Sequence, residues 1–299
     1  MALWDALYPP MDWEANRASW PHTDHSRFVT VHGQIWHVQT FGTGPVLLLL
    51  HGTGASTHSW RDLVLPLAES HTVICLDLPG HAFSYGDTKK SNSLDHMAAG
   101  LAHLLSHLKV WPSVIVGHSA GAAVAAQLIL RHATLPVPTL IGLNPAWLPL
   151  TGLASWLFPP TAKLLALNPL SGVLFAKQAA KPSVVRNLLQ STGSHLDEAG
   201  LSYYQRLLQT PSHDRGVLAM MAAWRLNRLA QQLPQLSGPV FMLLGGNDRT
   251  IPASLAAQTM TLLPKTISRT LAGLGHLAHE EAPATVCEQI LEWVRQTGR

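Results

Sequence analysis

Short runs of consecutive apolar residues, bounded by Gly, Pro or Asp, recur along the chain, and each has the length of a strand rather than a helix. Phe28–His32 and Gln34–Phe41 flank Gly33 and predict an opening hairpin. Pro45–Leu50, Thr72–Leu76, Ser113–Val116, Thr139–Leu143, Val240–Leu244 and Thr266–Leu271 follow. Helical spacing of apolar positions marks Thr57–Glu69, Ser93–Leu108, Ala120–His132, Ala253–Leu263 and Pro283–Thr297. Continuous apolar strands alternating with amphipathic helices predict an α/β fold, its mostly parallel eight-stranded sheet covered by helices on both faces.

One interval breaks the alternation. From Pro145 to Leu236 the pattern is helical without a convincing strand, which predicts a helical cap over 145–236 inserted into a core made of 1–144 and 237–299. The first half of this interval, through Trp147-Leu148-Pro149-Leu150 to Val173-Leu174-Phe175, is more apolar than an exposed helix should be. Its second half, Ser183–Asn227, has ordinary amphipathic spacing.

Composition narrows the function classes. Across 299 residues 47% are hydrophobic, enough for a large core, and only 12% are charged against a usual value of about 25%. That excludes a disordered tail, a coiled coil or a charged nucleic-acid arm, and a net charge of +3 is too mild to imply a nucleic-acid partner. No Asp or Glu occurs from His96 to Leu196, where Lys109, Arg131, Lys163, Lys177, Lys181 and Arg186 all fall, a pattern that fits an electrostatically two-sided chain and equally a large uncharged core. The uncharged run Ala133–Ala162 is long enough to span a bilayer, but its six prolines argue against a continuous helix. Cys75 and Cys287 make no disulfide framework and are expected as buried thiols. The start of the chain lacks a basic segment followed by an apolar one, so a cytoplasmic protein is expected.

The chemistry begins at Gly117-His118-Ser119-Ala120-Gly121, directly between an apolar strand and an apolar helix. Glycines two before and two after the serine permit the tight turn that exposes a nucleophilic hydroxyl. Serine needs a base, itself oriented by a carboxylate, and in this architecture they follow in the order Ser, acid, His. Asp248, in Gly245-Gly246-Asn247-Asp248-Arg249, and His276, in Leu274-Gly275-His276-Leu277, occupy loops after the last two strands in that order. Asp214 is the competing carboxylate and His279 the competing base, the latter expected on a helix surface. The segment His51-Gly52-Thr53-Gly54 follows a strand and predicts an oxyanion hole from the N–H groups of Thr53 and Ala120, with His51 ordering the loop. Met220 and Met221 are expected in the core of a cap helix. No His-Glu-x-x-His, cysteine cluster or P-loop occurs, so no metal or nucleotide cofactor is expected.

Through His51-Gly52-Thr53-Gly54, Asp77-Leu78-Pro79-Gly80-His81, Gly117–Gly121, Gly246-Asn247-Asp248 and Gly275-His276 the sequence resembles an α/β-hydrolase over nearly all of the chain outside the cap. It departs from the pattern at Ala82, where Gly usually stands, and at Asn144, where some members place their acid and an amide cannot serve. Leu50–Asp62, Leu165–Leu170, Ser191–Ser194 and Leu218–Trp224 are further similar to the BchO family, described as magnesium-chelatase accessory proteins of bacteriochlorophyll biosynthesis. That resemblance implies a pathway role, a hydrophobic ligand such as a porphyrin or its ester, and magnesium chelatase as a partner.

The residues suit such a ligand. His118, Trp147, Trp156, Phe158 and Phe175 are the expected substrate contacts, with Lys163, Lys177, Lys181 and Arg186 available to carboxylates; the same aromatics equally suit packing of the cap on the core. The apolar, basic stretch also suits peripheral contact with a membrane. Two function classes stay open: a serine esterase, and a porphyrin-binding or chelatase-assisting protein on a hydrolase scaffold. Ser119 argues against a dehalogenase or epoxide hydrolase, which use Asp at that turn, while carbon–carbon bond hydrolases, which use serine, also stay open.

Overall fold

The computed structural model describes residues 8–86, 92–149, 171–179 and 181–298. Strands β1 (Ser26–Val31), β2 (Gln34–Phe41), β3 (Val46–Leu50), β4 (Thr72–Leu76), β5 (Val114–His118), β6 (Thr139–Leu143), β7 (Val240–Gly245) and β8 (Ile267–Leu271) form one eight-stranded sheet. Their order is β1-β2-β4-β3-β5-β6-β7-β8. Pairings of β2 with β1 and β4 are antiparallel, and all others are parallel.

Successive side chains of a strand point to opposite faces, and the leucines of β3 divide accordingly. Leu48 and Leu50 join one apolar layer with Ile74, Ile115 and Leu140, covered by α3 (Leu94–His107) and α4 (Ala120–Arg131). Leu47 and Leu49 join the other with Val73, Val116 and Ile141, covered by α2 (Val64–Ala68) and α12 (Pro283–Gln296). Burial on both faces is why these strands read as unbroken apolar runs. A short α1 (Trp13–Asn16) precedes the sheet.

The stretch Thr57–Glu69, expected as one helix, is a 3-10 turn (Thr57–Trp60) followed by α2. Pro66 lacks an N–H and its ring opposes the carbonyl four residues back, so the helix restarts with Pro66 in its first turn.

Between β6 and β7 the described residues hold α5 (Ser171–Ala179), α6 (Pro182–Ser191), α7 (Glu198–Leu208), α8 (Pro211–Ala223), α9 (Asn227–Gln232) and a 3-10 turn (Leu233–Gln235), with no strand among them. Leu226, Leu229 and Leu233 join the layer under α4, whereas Val185, Leu189, Leu201 and Tyr204 pack with Ala55 and Leu277 in a separate cluster. Both cysteines are buried and unpaired. After β8 come Gly275–Leu277 and α11 (Ala278–Glu281), and α10 (Ala253–Leu262) lies between β7 and β8. No helix among the described residues is long and apolar enough to cross a membrane.

Candidate active site

The turn at Ser119 is fixed by contacts too close for any side chain but hydrogen. A Cβ on Gly121 would stand 2.2 Å from Leu50 O, and one on Gly117 would stand 2.5 Å from Ala122 N. The chain passes from β5 to α4 with Ser119 at φ +50° and ψ −116°, left-handed backbone that a serine adopts only under such constraint. Gly52 packs against the same residue: its missing Cβ would be 3.1 Å from Ser119 Cβ. The structure thus brings the loop carrying Thr53 beside Ser119 and Ala120.

That loop is tied down by His51. Its Nε2 accepts the Leu78 N–H at 2.9 Å, so the ring proton sits on Nδ1, which donates to Gly52 O at 2.8 Å. Burial lowers the pKa of His51, keeping this neutral tautomer. Leu78 follows Asp77, whose carboxylate accepts from His37 Nδ1 (2.8 Å) and Thr57 N (2.7 Å). Burial alone would raise the Asp77 pKa, but His37, these hydrogen bonds and His51 hold it below the ordinary carboxylate value.

Helix α8 covers the loop from above. Thr53 Oγ1 donates to Met220 Sδ at 3.8 Å, and His213 Nδ1 accepts the Ala82 N–H at 3.0 Å. A Cβ on Gly216 would lie 1.9 Å from Gly80 O, so the helix can seat here only through glycine. Ala82 occupies φ +42°, so its departure from glycine costs roughly 1 kcal/mol of strain. Met220 is buried, as expected, and burial lowers the His213 pKa to about 4.

Asp248 follows β7 and His276 follows β8. His276 Nδ1 donates to Asp248 Oδ2 at 2.8 Å, while Asp248 Oδ1 accepts from Thr250 N (2.7 Å) and Ile251 N (3.0 Å). Both oxygens of Asp248 are thus committed, and the pair fixes the His276 ring through its Nδ1 side. The His276 ring lies 4.7 Å, centroid to centroid, from that of His118, the residue before Ser119.

Several expectations need correction. His118, expected as a substrate contact, is buried and donates through Nε2 to His276 O at 2.9 Å, which commits that nitrogen to the turn. Trp147 is fully buried, and its indole N–H donates to Ala122 O at 2.8 Å, so it packs α4 against β6 instead of lining a binding surface. His279 is not on a helix surface but buried, 4.8 Å from the Trp60 ring and 4.5 Å from that of His118, and burial drives its pKa to about 3. Asp214 is buried within α8 with its pKa pushed up to about 8 by burial, and Oδ2 has no partner. Arg186, expected to be available to a ligand, pairs with Glu198 at 2.6 Å. Lys177 and Lys181 are exposed. Trp156, Phe158, Lys163 and the Phe175 side chain lie outside the described residues.

Other residues at the site carry no motif. Asn144, at φ +44°, donates through Nδ2 to Gly275 O (3.1 Å) and His276 O (2.8 Å), and its Oδ1 accepts the Gly245 N–H (2.7 Å). The sequence signalled only that an amide stands where an acid is sometimes found. Beyond His276 in the chain, Glu280 accepts from Arg61 Nη1 and the Tyr204 hydroxyl, each at 2.7 Å. Burial nevertheless raises the Glu280 pKa above its ordinary value. Among the described residues no three His, Cys, Asp or Glu side chains converge to bind a metal.

Comparison with known proteins agrees with this architecture. A profile of the α/β-hydrolase fold matches residues 45–283. The chain is 41% identical over 286 residues to the magnesium-chelatase 30 kDa subunit of Rhodobacter capsulatus, covering 95% of this chain and 99% of that one. It is 26% identical over 259 residues to an uncharacterized hydrolase, YugF, of Bacillus subtilis, covering 83% of this chain and 89% of that one. An α/β-hydrolase-fold protein from Burkholderia ambifaria superposes with a TM-score of 0.73 at 23% identity over 90% of this chain and 98% of the other, a likeness of fold. The chain belongs to the α/β-hydrolase family and, within it, to the family of the R. capsulatus magnesium-chelatase subunit.

Proposed function

We propose that the protein is a serine hydrolase of carboxylic esters acting in bacteriochlorophyll biosynthesis, on a porphyrin or magnesium-porphyrin ester. The observation that carries the hydrolytic reading is the His276–Asp248 hydrogen bond, which leaves the imidazole Nε2 as a base at the strand ends where Ser119 is held in its strained turn. The 41% identity to a protein named as a magnesium-chelatase subunit supports the pathway.

In this mechanism His276 Nε2 takes the Ser119 proton as Oγ attacks the ester carbonyl. The Thr53 and Ala120 N–H groups donate to the oxyanion, and Asp248 steadies the imidazolium. His276 then returns the proton to the departing alcohol. Water, deprotonated by His276, cleaves the acyl enzyme to release the carboxylic acid and restore Ser119.

The segment 145–236 serves as the cap in this reading, with Trp156, Phe158 and Phe175 offered to the macrocycle. Exposed Leu174, Val184 and Leu188 beside exposed Lys177 and Lys181 support contact of the cap with an anionic membrane surface. Flotation with anionic vesicles tests that contact, and protein that stays with the soluble fraction counts against it.

The name of the R. capsulatus relative favours a second reading, in which the scaffold binds porphyrin or assists chelatase without turnover. Hydrolysis of short and medium p-nitrophenyl esters by the wild type and Ser119→Ala separates the two. Turnover lost in the variant supports the esterase. Equal, background rates in two folded samples favour the binding role, which porphyrin titration then measures directly.

A further inference from the structure

The turn that carries His276 is held by four side chains, three of them distant in the sequence and the fourth, Glu281, just beyond the turn. Gly275 O and His276 O accept from Asn144, and His276 O accepts a second bond from His118; both donors stand at strand ends next to the nucleophile. Of the other two contacts, one comes from the helical interval between β6 and β7 and the other from Glu281, at the end of α11. Leu277 N donates to Ser194 Oγ at 2.8 Å. Glu281 bridges the interval and the turn, one oxygen accepting from Gly275 N at 2.9 Å and the other from His195 N at 3.1 Å.

Residues 192–195 close on the acid as well. Arg249 N, next to Asp248, donates to Thr192 O at 3.1 Å. Gly193, at φ +87°, lies so close to the acid loop that a Cβ there would be 1.9 Å from Asn247 O. It meets the base loop equally closely, since a Cβ on Gly275 would be 2.3 Å from Gly193 C. This four-residue segment therefore touches the loops of both His276 and Asp248, and it directly follows α6, whose Val184 and Leu188 are exposed. Ser194 itself is fully buried.

We propose that residues 192–195 are a positioning strap for the base, with Ser194 and Glu281 as positioning residues, so that the seat of the helical interval on the sheet sets where His276 stands. The inference rests on the reading of His276 as the base of Ser119. A shift of α6 would be passed through the strap to a hydrogen bond that tolerates little error, because misplacing a catalytic group by about 1 Å costs on the order of 100-fold in rate.

The test is the rate at which a fluorophosphonate labels Ser119 in the full-length protein, followed across pH. Ser194→Ala and Glu281→Ala each lower the rate about tenfold and displace the midpoint of the pH–rate profile, a partial version of that misplacement. Glu281→Gln keeps a carbonyl oxygen for Gly275 N and recovers most of the rate. Thr259→Ala removes a buried hydroxyl bonded to Leu255 O in α10, away from the site, and leaves rate and midpoint unchanged. Folded Ser194→Ala and Glu281→Ala proteins that label at the wild-type rate and midpoint overturn the proposal.

A wild type that labels no faster than Ser119→Ala defeats the hydrolase reading instead. The strap is then judged by the His276 ring titration in NMR spectra, assigned with His276→Gln. A displaced titration in Ser194→Ala upholds the strap, and an unchanged one overturns it.

Discussion

The Ser119 turn and the His276 turn lie at the same end of the sheet but are positioned by different physics. Around Ser119 the chain is seated by backbone pressed against backbone, with Gly121 under Leu50 O and Gly117 under Ala122 N. Around His276 one such backbone contact, Gly275 on Gly193, is joined by side-chain hydrogen bonds from Asn144, His118, Ser194 and Glu281. Steric seating has nothing to titrate and admits no substitution. A polar bracket tolerates substitution by degrees, but it depends on protonation state and on the segments that supply its members.

The largest effect expected from this contrast is at Gly121. An added methyl there meets two backbone oxygens, Leu50 O at 2.2 Å and His51 O at 2.5 Å, neither of which can rotate away. Gly121→Ala is expected to cost more than about 3 kcal/mol, the upper end of overpacking, and to yield little folded protein by thermal denaturation. Gly54→Ala supplies the contrast: nothing lies within 4 Å of the added carbon, and only φ +77° opposes it. About 1 kcal/mol is expected there. Equal losses at the two positions would contradict the steric account.

Acid acts on the polar side of the comparison. His51, His58, His81, His118, His213 and His279 are all buried with lowered pKa values, burial being the main cause in each. In the unfolded chain each takes up a proton near its ordinary value of 6.5, whereas His213 holds out to about 4 and His279 to about 3. For these rings the unfolded state binds more protons across that window, so their contribution to stability is full above pH 6.5 and falls as pH drops towards 4 and then 3, offset in part by Asp214, whose pKa raised to about 8 acts with the opposite sign. Each ring contributes a slope of roughly 1 kcal/mol per pH unit. Circular dichroism against pH is expected to show cooperative acid unfolding inside this window, and a fold that survives intact at its lower end would mean that these rings are not held neutral. His118→Gln, which keeps an N–H donor for His276 O without a titrating ring, is expected to make the loss shallower.

How far each turn is legible in the sequence follows from the same difference. Strand β3 reads as Val46-Leu47-Leu48-Leu49-Leu50 because both of its faces are buried, and the elbow reads as Gly-x-Ser-x-Gly because backbone contact leaves no alternative to glycine. Asp248 and His276 stand at strand ends in a fixed order, so their loops are found as soon as the strands are. The bracket is not legible: Asn144, His118 and Ser194 lie 132, 158 and 83 residues from their partners, and a single Asn, His or Ser has no periodicity to betray it. Trp147 misleads for a related reason. An aromatic residue just past a strand end suits a ligand wall, and only the fold reveals Ala122 O waiting for its indole N–H.

A smaller effect, and the finest test of the polar side, is at Tyr204. Its hydroxyl donates to Glu280 Oε1, while Arg61 engages Oε2 of the same buried carboxylate. Tyr204→Phe keeps the ring and removes only the donor, so no cavity adds to the cost. A hydrogen bond to a charged group is worth roughly 2 kcal/mol, and with Arg61 still in place about 1 to 2 kcal/mol is expected in urea unfolding. Arg61→Ala strands Glu280 without its counter-charge and is expected to cost more, about 3 to 5 kcal/mol. The two changes share one carboxylate, so the double variant is expected to lose less than the sum of the single losses. Strict additivity would mean that Glu280 is not the common partner and that α7 and Arg61 support α11 separately.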